Sequence, residues 1–149
     1  MLEEQIYKDY TDALRSRDKD KADFLSFIRA EIKNVAIDLK KRQLEDDEVL
    51  VVLTKQKKKL ADSRDSMASS GRDDLIKKID NEFMILEQYL PKALAQEELI
   101  GIINQVILDT KASSIKDMGK VMKEVAAKVG VRADPKKISQ IVKDKLSLN

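Results

Sequence analysis

Three observations predict an all-α protein. Apolar residues recur at helical spacing along nearly the whole chain, aromatic residues make up only 4% of it, and 149 residues contain just four glycines and two prolines. Sheets of this size need β-branched and aromatic strands punctuated by many turns, whereas long amphipathic helices need neither. The expected architecture is an N-terminal antiparallel bundle of about four helices over residues 1–93, followed by a small three-helix C-terminal domain over residues 94–149, with Pro91 near the boundary.

Each element has its own signal. Leu2, Ile6, Tyr10 and Leu14 mark a first helix, and the charged "RSRDKDK" breaks it, leaving Asp18 or Asp20 to cap the next. A second helix carries the stripe Leu25, Ile28, Ile32, Val35, Ala36 and Leu39, with Arg29, Lys33, Lys40 and Lys41 outside it. After "QLEDD" the third runs through Val49, Val52, Leu53, Gln56, Leu60 and Met67, and Gly71 offers a left-handed C-cap. The fourth, with Leu75, Ile79, Phe83, Leu86 and Leu90, must stop before Pro91, which lacks an amide donor and clashes with the preceding turn.

Beyond Pro91 a fifth helix is built on Leu99, Ile102, Ile103, Val106 and Ile107. Ser114 and Asp117 have the spacing of a capping box, with aspartate in place of the usual glutamate, and start a sixth helix. Its inner side is Met118, Val121, Met122, Val125 and Val129, ending near Gly130. Asp134 followed by Pro135 is the sharpest start signal: a side-chain acceptor for unpaired amides, then a residue whose missing N–H does no harm at the first helical position. Ile138, Ile141, Val142 and Leu146 then face inward.

Composition excludes many chemistries. Without cysteine or histidine there is no thiolate nucleophile, no zinc-thiolate site and no imidazole base. "GRDDLIKK" holds one glycine and puts two acids where a nucleotide phosphate would sit, so no phosphate-cradling loop is present. Glu45, Asp46, Asp47 and Glu48 read as caps and dipole partners of the helix they precede, so neither a metal nor a cofactor is expected. Ser69 and Ser113 lack the context of an amidase serine and read as loop and cap residues; no catalytic residue is assigned. The acidic, polar start "MLEEQIYKDY" and the lack of a long apolar run lead to the expectation of a cytoplasmic protein with no membrane contact.

Charge is unevenly divided. Residues 1–93 carry nineteen basic and twenty acidic side chains, whereas residues 94–149 carry ten and seven, which makes the C-terminal part the better polyanion binder. At about 100° per residue, Lys116, Lys120 and Lys123 project together, nearly opposite the Met118, Met122 and Val125 stripe. Arg132, Lys136 and Lys137 stand at the next helix entrance, where the dipole also favours phosphate. The competing reading is a set of ordinary solvated charges. Gly119, in the first turn of the sixth helix, costs up to about 1 kcal/mol against alanine, which implies that either a neighbouring helix or a sugar-phosphate backbone comes close, and that a bulky replacement is harmful.

The segments "ASSIKDMGKVMKEV", "RADPKKISQIVKDKL", "SGRDDL", "LEQYLP", "FLSFIRAEIKNVAID" and "KKKLADSRDSM" resemble, in order and spacing, those of the YqeY-like proteins. The helical fold of that family is shared with the tail of the GatB component of the glutamine-dependent aspartyl- and glutamyl-tRNA amidotransferase. The resemblance implies two helical domains and an association with glutamine-dependent carbon–nitrogen ligases in which the tail grips tRNA while the chemistry happens elsewhere. It also implies RNA-facing roles for Lys116, Gly119, Lys120, Lys123, Arg132, Asp134 and Lys137, with Asp134 doubling as a cap. The chain departs from the family pattern at Ala95, where a capping serine is usual, at Val131, where glycine is expected, and at Ser139, which replaces asparagine.

The expected function is therefore that of a tRNA-binding accessory protein that holds backbone phosphates by charge and shape. Tyr7, Tyr10, Tyr89 and all three phenylalanines lie in the first ninety residues, so the basic tail has no aromatic platform for stacking bases, and no DNA specificity is expected. The rival is a protein-interaction module in which "TKQKKK" (Lys55, Lys57, Lys58, Lys59) and the charged helices dock on an aminoacyl-tRNA synthetase or an amidotransferase subunit without touching RNA.

Overall fold

The computed structural model describes residues 1–148 and is all-helical. The helices are α1 (Leu2–Arg15), α2 (Lys19–Asp38), α3 (Asp46–Met67), α4 (Asp73–Glu87), α5 (Gln96–Thr110), α6 (Met118–Val129) and α7 (Pro135–Ser147), with 3-10 turns at Ile115–Asp117 and Gly130–Arg132. Contacts divide the chain into two compact units, Met1–Leu90 and Pro91–Asn149. No described helix is long and apolar enough to cross a membrane.

In the first unit, the short connection between α1 and α2 folds α2 back along α1. Arg17 adopts a left-handed conformation there, and Asp18 caps α2 by accepting the Lys21 amide at 3.3 Å, which resolves the choice between Asp18 and Asp20. The core gathers Ile6, Phe24, Leu25, Ile28, Ile32, Val49, Leu53, Ile85 and Leu86. Leu44, in the α2–α3 connection, is buried with them. Leu14 and Leu39, placed on inward stripes by spacing, are instead 53% and 51% exposed. Both lie at the ends of their helices, where the apolar face outruns the partner that covers it.

Three of the four acids at the start of α3 are engaged within the first unit. Glu45 and Glu48 form a capping box, Asp46 accepts the Leu2 amide at 2.8 Å, and Glu48 also pairs with Lys41. Gly71 does take a positive φ of 71°, but α3 has already ended at Met67, so the glycine serves the turn into α4 rather than the cap of α3. Side-chain links tie the helices together: Arg64 donates from Nε to Asp80 Oδ1 at 2.7 Å and Lys57 pairs with Glu87 between α3 and α4, Gln56 of α3 donates to Glu31 of α2, and the hydroxyl of Tyr89, just past α4, donates to Asp9 of α1. Burial, and then that bond to a carboxylate, push the Tyr89 phenol well above its ordinary range.

In the second unit α5, α6 and α7 pack around Leu99, Ile103, Val106, Val121, Val125, Val129, Ile138, Val142 and Leu146. Lys111, in the left-handed conformation, ends α5. Ala95 stands at the N-cap of α5 without a side-chain bond, as its methyl group requires. Ile141, expected inside, is only partly buried.

Candidate nucleic-acid interface

The basic segment begins with a tightened helical start. Ser114 and Asp117 form the expected box around a 3-10 turn, and Asp117 Oδ2 accepts the amides of Ser113 at 2.9 Å and Ser114 at 3.3 Å. Those two amides, with the nearby Lys120 charge, hold the Asp117 carboxyl below the usual carboxylate range. The α-helix proper starts one turn later, at Met118. The Asp117 carboxylate thus stands beside the start of this helix and holds the two amides that precede the 3-10 turn, adding a negative charge where the helix end attracts anions.

Those side chains stand clear of the core. Lys116, Gly119, Lys120 and Lys123 are exposed on one side, while Val121, Val125 and Val129 are buried on the other, the split that a period of about 3.6 residues imposes. The turn bearing Lys116 also packs on α7. Among the described residues, none of these lysines has a carboxylate within salt-bridge distance; the four ion pairs found, Arg15–Asp12, Lys41–Glu48, Lys57–Glu87 and Arg64–Asp80, all belong to the first unit.

Gly119 settles one of the two expectations attached to it. A methyl group built there would meet nothing within 4 Å, and its backbone is not in the left-handed region. No neighbouring helix packs against it, so close packing does not explain the glycine and, inside this chain, a larger side chain has room.

The entrance to α7 is partly spoken for. Asp134 Oδ1 accepts the Lys136 amide at 2.9 Å, with Pro135 at the first helical position. The side chains of Lys136 and Lys137 are exposed. Arg132 differs from them: its Nε donates to the Val129 carbonyl at 3.1 Å and its Nη2 to the Lys128 carbonyl at 2.8 Å. It closes the C-terminal end of α6, where carbonyls lack intrahelical donors, and only the remaining edge of its guanidinium is available to a ligand. The signal was in the sequence, since an arginine two residues past the helix-ending Gly130 is placed to reach those carbonyls.

Sequence reasoning passed over a second cationic group, in the first unit. The Arg29 guanidinium lies over the rings of Tyr7 and Tyr10, 4.5 and 5.0 Å from their centroids. Tyr7 and Tyr10, three apart on one helix, together with an arginine outside the stripe of the next, were the available signs.

No curated protein matches the chain. A family model, described as Yqey-like protein, matches residues 3–146. That match spans nearly every element described above, from the first turn of α1 to the last turn of α7, and the protein therefore belongs to the YqeY-like protein family.

Proposed function

We propose that this protein binds the phosphate backbone of tRNA through its C-terminal unit, as an accessory to a glutamine-dependent carbon–nitrogen ligase system to which it contributes grip and no chemistry. The observation that carries this reading is the exposed face of Lys116, Lys120 and Lys123, unpaired among the described residues and interrupted by a glycine with open space above it. Lysines without intramolecular partners lose little on meeting phosphate, and a bare glycine lets a sugar-phosphate backbone approach the helix. Lys136 and Lys137 extend the charge at the start of α7, and Arg132 adds its outer edge. Asp134 already holds an amide at the start of α7 and Asp117 places a negative charge beside the start of α6, so the grip is one of side-chain charge.

The test is Lys120→Glu with Lys123→Glu, measured as tRNA affinity against salt concentration. Each lost phosphate contact lowers the slope of log K against log salt by about 0.7–0.9, so the double variant should lose nearly two units of slope and bind weakly at all salt concentrations. Unchanged affinity would end this reading.

A second reading, docking on a synthetase or amidotransferase subunit, draws support from Val51 and Met84 in the first unit, which are 59% and 65% exposed. Capture of such a protein that survives nuclease treatment and is abolished by Met84→Glu would favour it.

A further inference from the structure

We propose that an open cavity in the first unit, formed by the start of α1, the middle of α2 and the α2–α3 connection, binds a single nucleotide whose base carries an exocyclic amine. Its volume of about 390 Å³ is within the roughly 300–1,000 Å³ of small-ligand sites. Three features of its lining point to the ligand.

The first is cationic. Arg29, Lys33 and Arg42 line the cavity, and none of them pairs with a carboxylate among the described residues. The second is flat: Tyr7 is half exposed in the lining, with the Arg29 guanidinium stacked over one face of its ring, so a base meets the exposed remainder of that pair. The third is an acceptor in want of a donor. Glu3, also in the lining, has Oε2 shut off from solvent and without a hydrogen-bond partner among the described residues, a state that costs free energy and that rotation of the carboxylate toward a donor in the cavity would relieve.

A simple anion would satisfy the cations but would face Glu3 and Glu4 and leave the buried oxygen unpaired. A neutral aromatic would leave the cations unused. A nucleotide bearing an amine on its base meets all three: phosphate toward Lys33 and Arg42, base against Tyr7, amine donating to Glu3, the same pairing by which carboxylates read cytosine. The nucleotide is either free or an unpaired residue of an RNA, since the recognised chemistry is common to both. This site is separate from the lysine face of the C-terminal unit and stands whether or not that face binds RNA.

The test follows the ring signals of Tyr7 by nuclear magnetic resonance in the full chain, with Tyr89 as internal reference, during titration with cytidine monophosphate, uridine monophosphate, inorganic phosphate and a short oligocytidylate. Cytidine monophosphate should shift the Tyr7 ring saturably, and more tightly than its uridine counterpart, whose carbonyl replaces the amine. Lys33→Gln with Arg42→Gln should weaken binding at least about tenfold, and Glu3→Gln should narrow the cytidine-over-uridine preference. These residues lie at the surface or the cavity edge, and circular dichroism checks that each variant is folded. Saturation by the mononucleotide identifies a free-nucleotide site; saturation by oligocytidylate alone, still lost in the Lys33 and Arg42 variant, identifies an RNA residue. Failure of every nucleotide to saturate, binding indifferent to the double variant, or inorganic phosphate binding as well as cytidine monophosphate overturns the proposal.

Discussion

Replacing Gly119 by alanine separates what the fold needs from what a ligand needs. The added methyl would meet no atom within 4 Å and the backbone is already compatible with an L-residue, so the substitution carries no steric cost. What remains is the difference in helix propensity and unfolded-state entropy, about 1 kcal/mol in a helix interior and nearer about 0.5 kcal/mol in a first turn. For a unit of this size, about 0.5–1 kcal/mol raises the melting temperature by roughly 2–8 °C. Hydrogen exchange at the amides of Val121 and Val125 reads the stability of this unit specifically, and protection should rise about two- to fivefold if exchange proceeds by opening of α6. Under the proposed function the same variant should bind tRNA less tightly, because the methyl would stand in the way of the sugar-phosphate backbone. A variant more stable and weaker in RNA binding supports both the geometry and the proposed interface. Loss of stability on Gly119→Ala would refute the structural argument by showing that something does pack there.

Other substitutions test the same structure. Asp134→Ala removes the acceptor for the Lys136 amide and should cost about 0.5–2 kcal/mol by denaturant titration. Arg132→Ala frees two carbonyls at the end of α6 and should destabilise the second unit by about 1–2 kcal/mol, whereas Lys137→Ala, exposed and unpaired among the described residues, should fall within about 0.5 kcal/mol of the parent. Ile103→Ala, at a fully buried position of the second core, should cost about 2–5 kcal/mol and lower the same hydrogen-exchange protection. The Tyr89 phenol ionises in the unfolded chain near its ordinary value of 10.0 but keeps its proton to higher pH when folded. Its contribution is therefore complete below that value and is lost as pH rises toward the folded value, so unfolding free energy should decline as pH rises above about 10, and Tyr89→Phe should flatten that decline.

Much of the fold was legible because helices declare themselves locally. The Asp134–Pro135 pair, the Ser114–Asp117 box and the Gly130 stop are bonds among residues a few positions apart, and the structure has each of them. The inner stripes were legible for the same reason, down to the buried Gln56 among the apolar residues of α3. Leu44 was not, since a residue in a connection has no period to betray it, and Ile85 lay off the stripe drawn through α4. For the candidate interface, the lysine face followed from spacing, while the engagement of Arg132 with two backbone carbonyls and the open space at Gly119 did not.

The sequence by itself determined that the chain is helical, where most helices begin and end, which faces turn inward and which family it joins, because propensity, capping and periodicity act over a few neighbouring residues. Only the tertiary structure decided how far each apolar face is covered, which charges are already spent on internal bonds, and that Tyr7, Arg29, Lys33 and Arg42 line one cavity with Glu3. Those outcomes depend on contacts between segments distant in the chain, and a one-dimensional pattern specifies the side of a helix but not what stands opposite it.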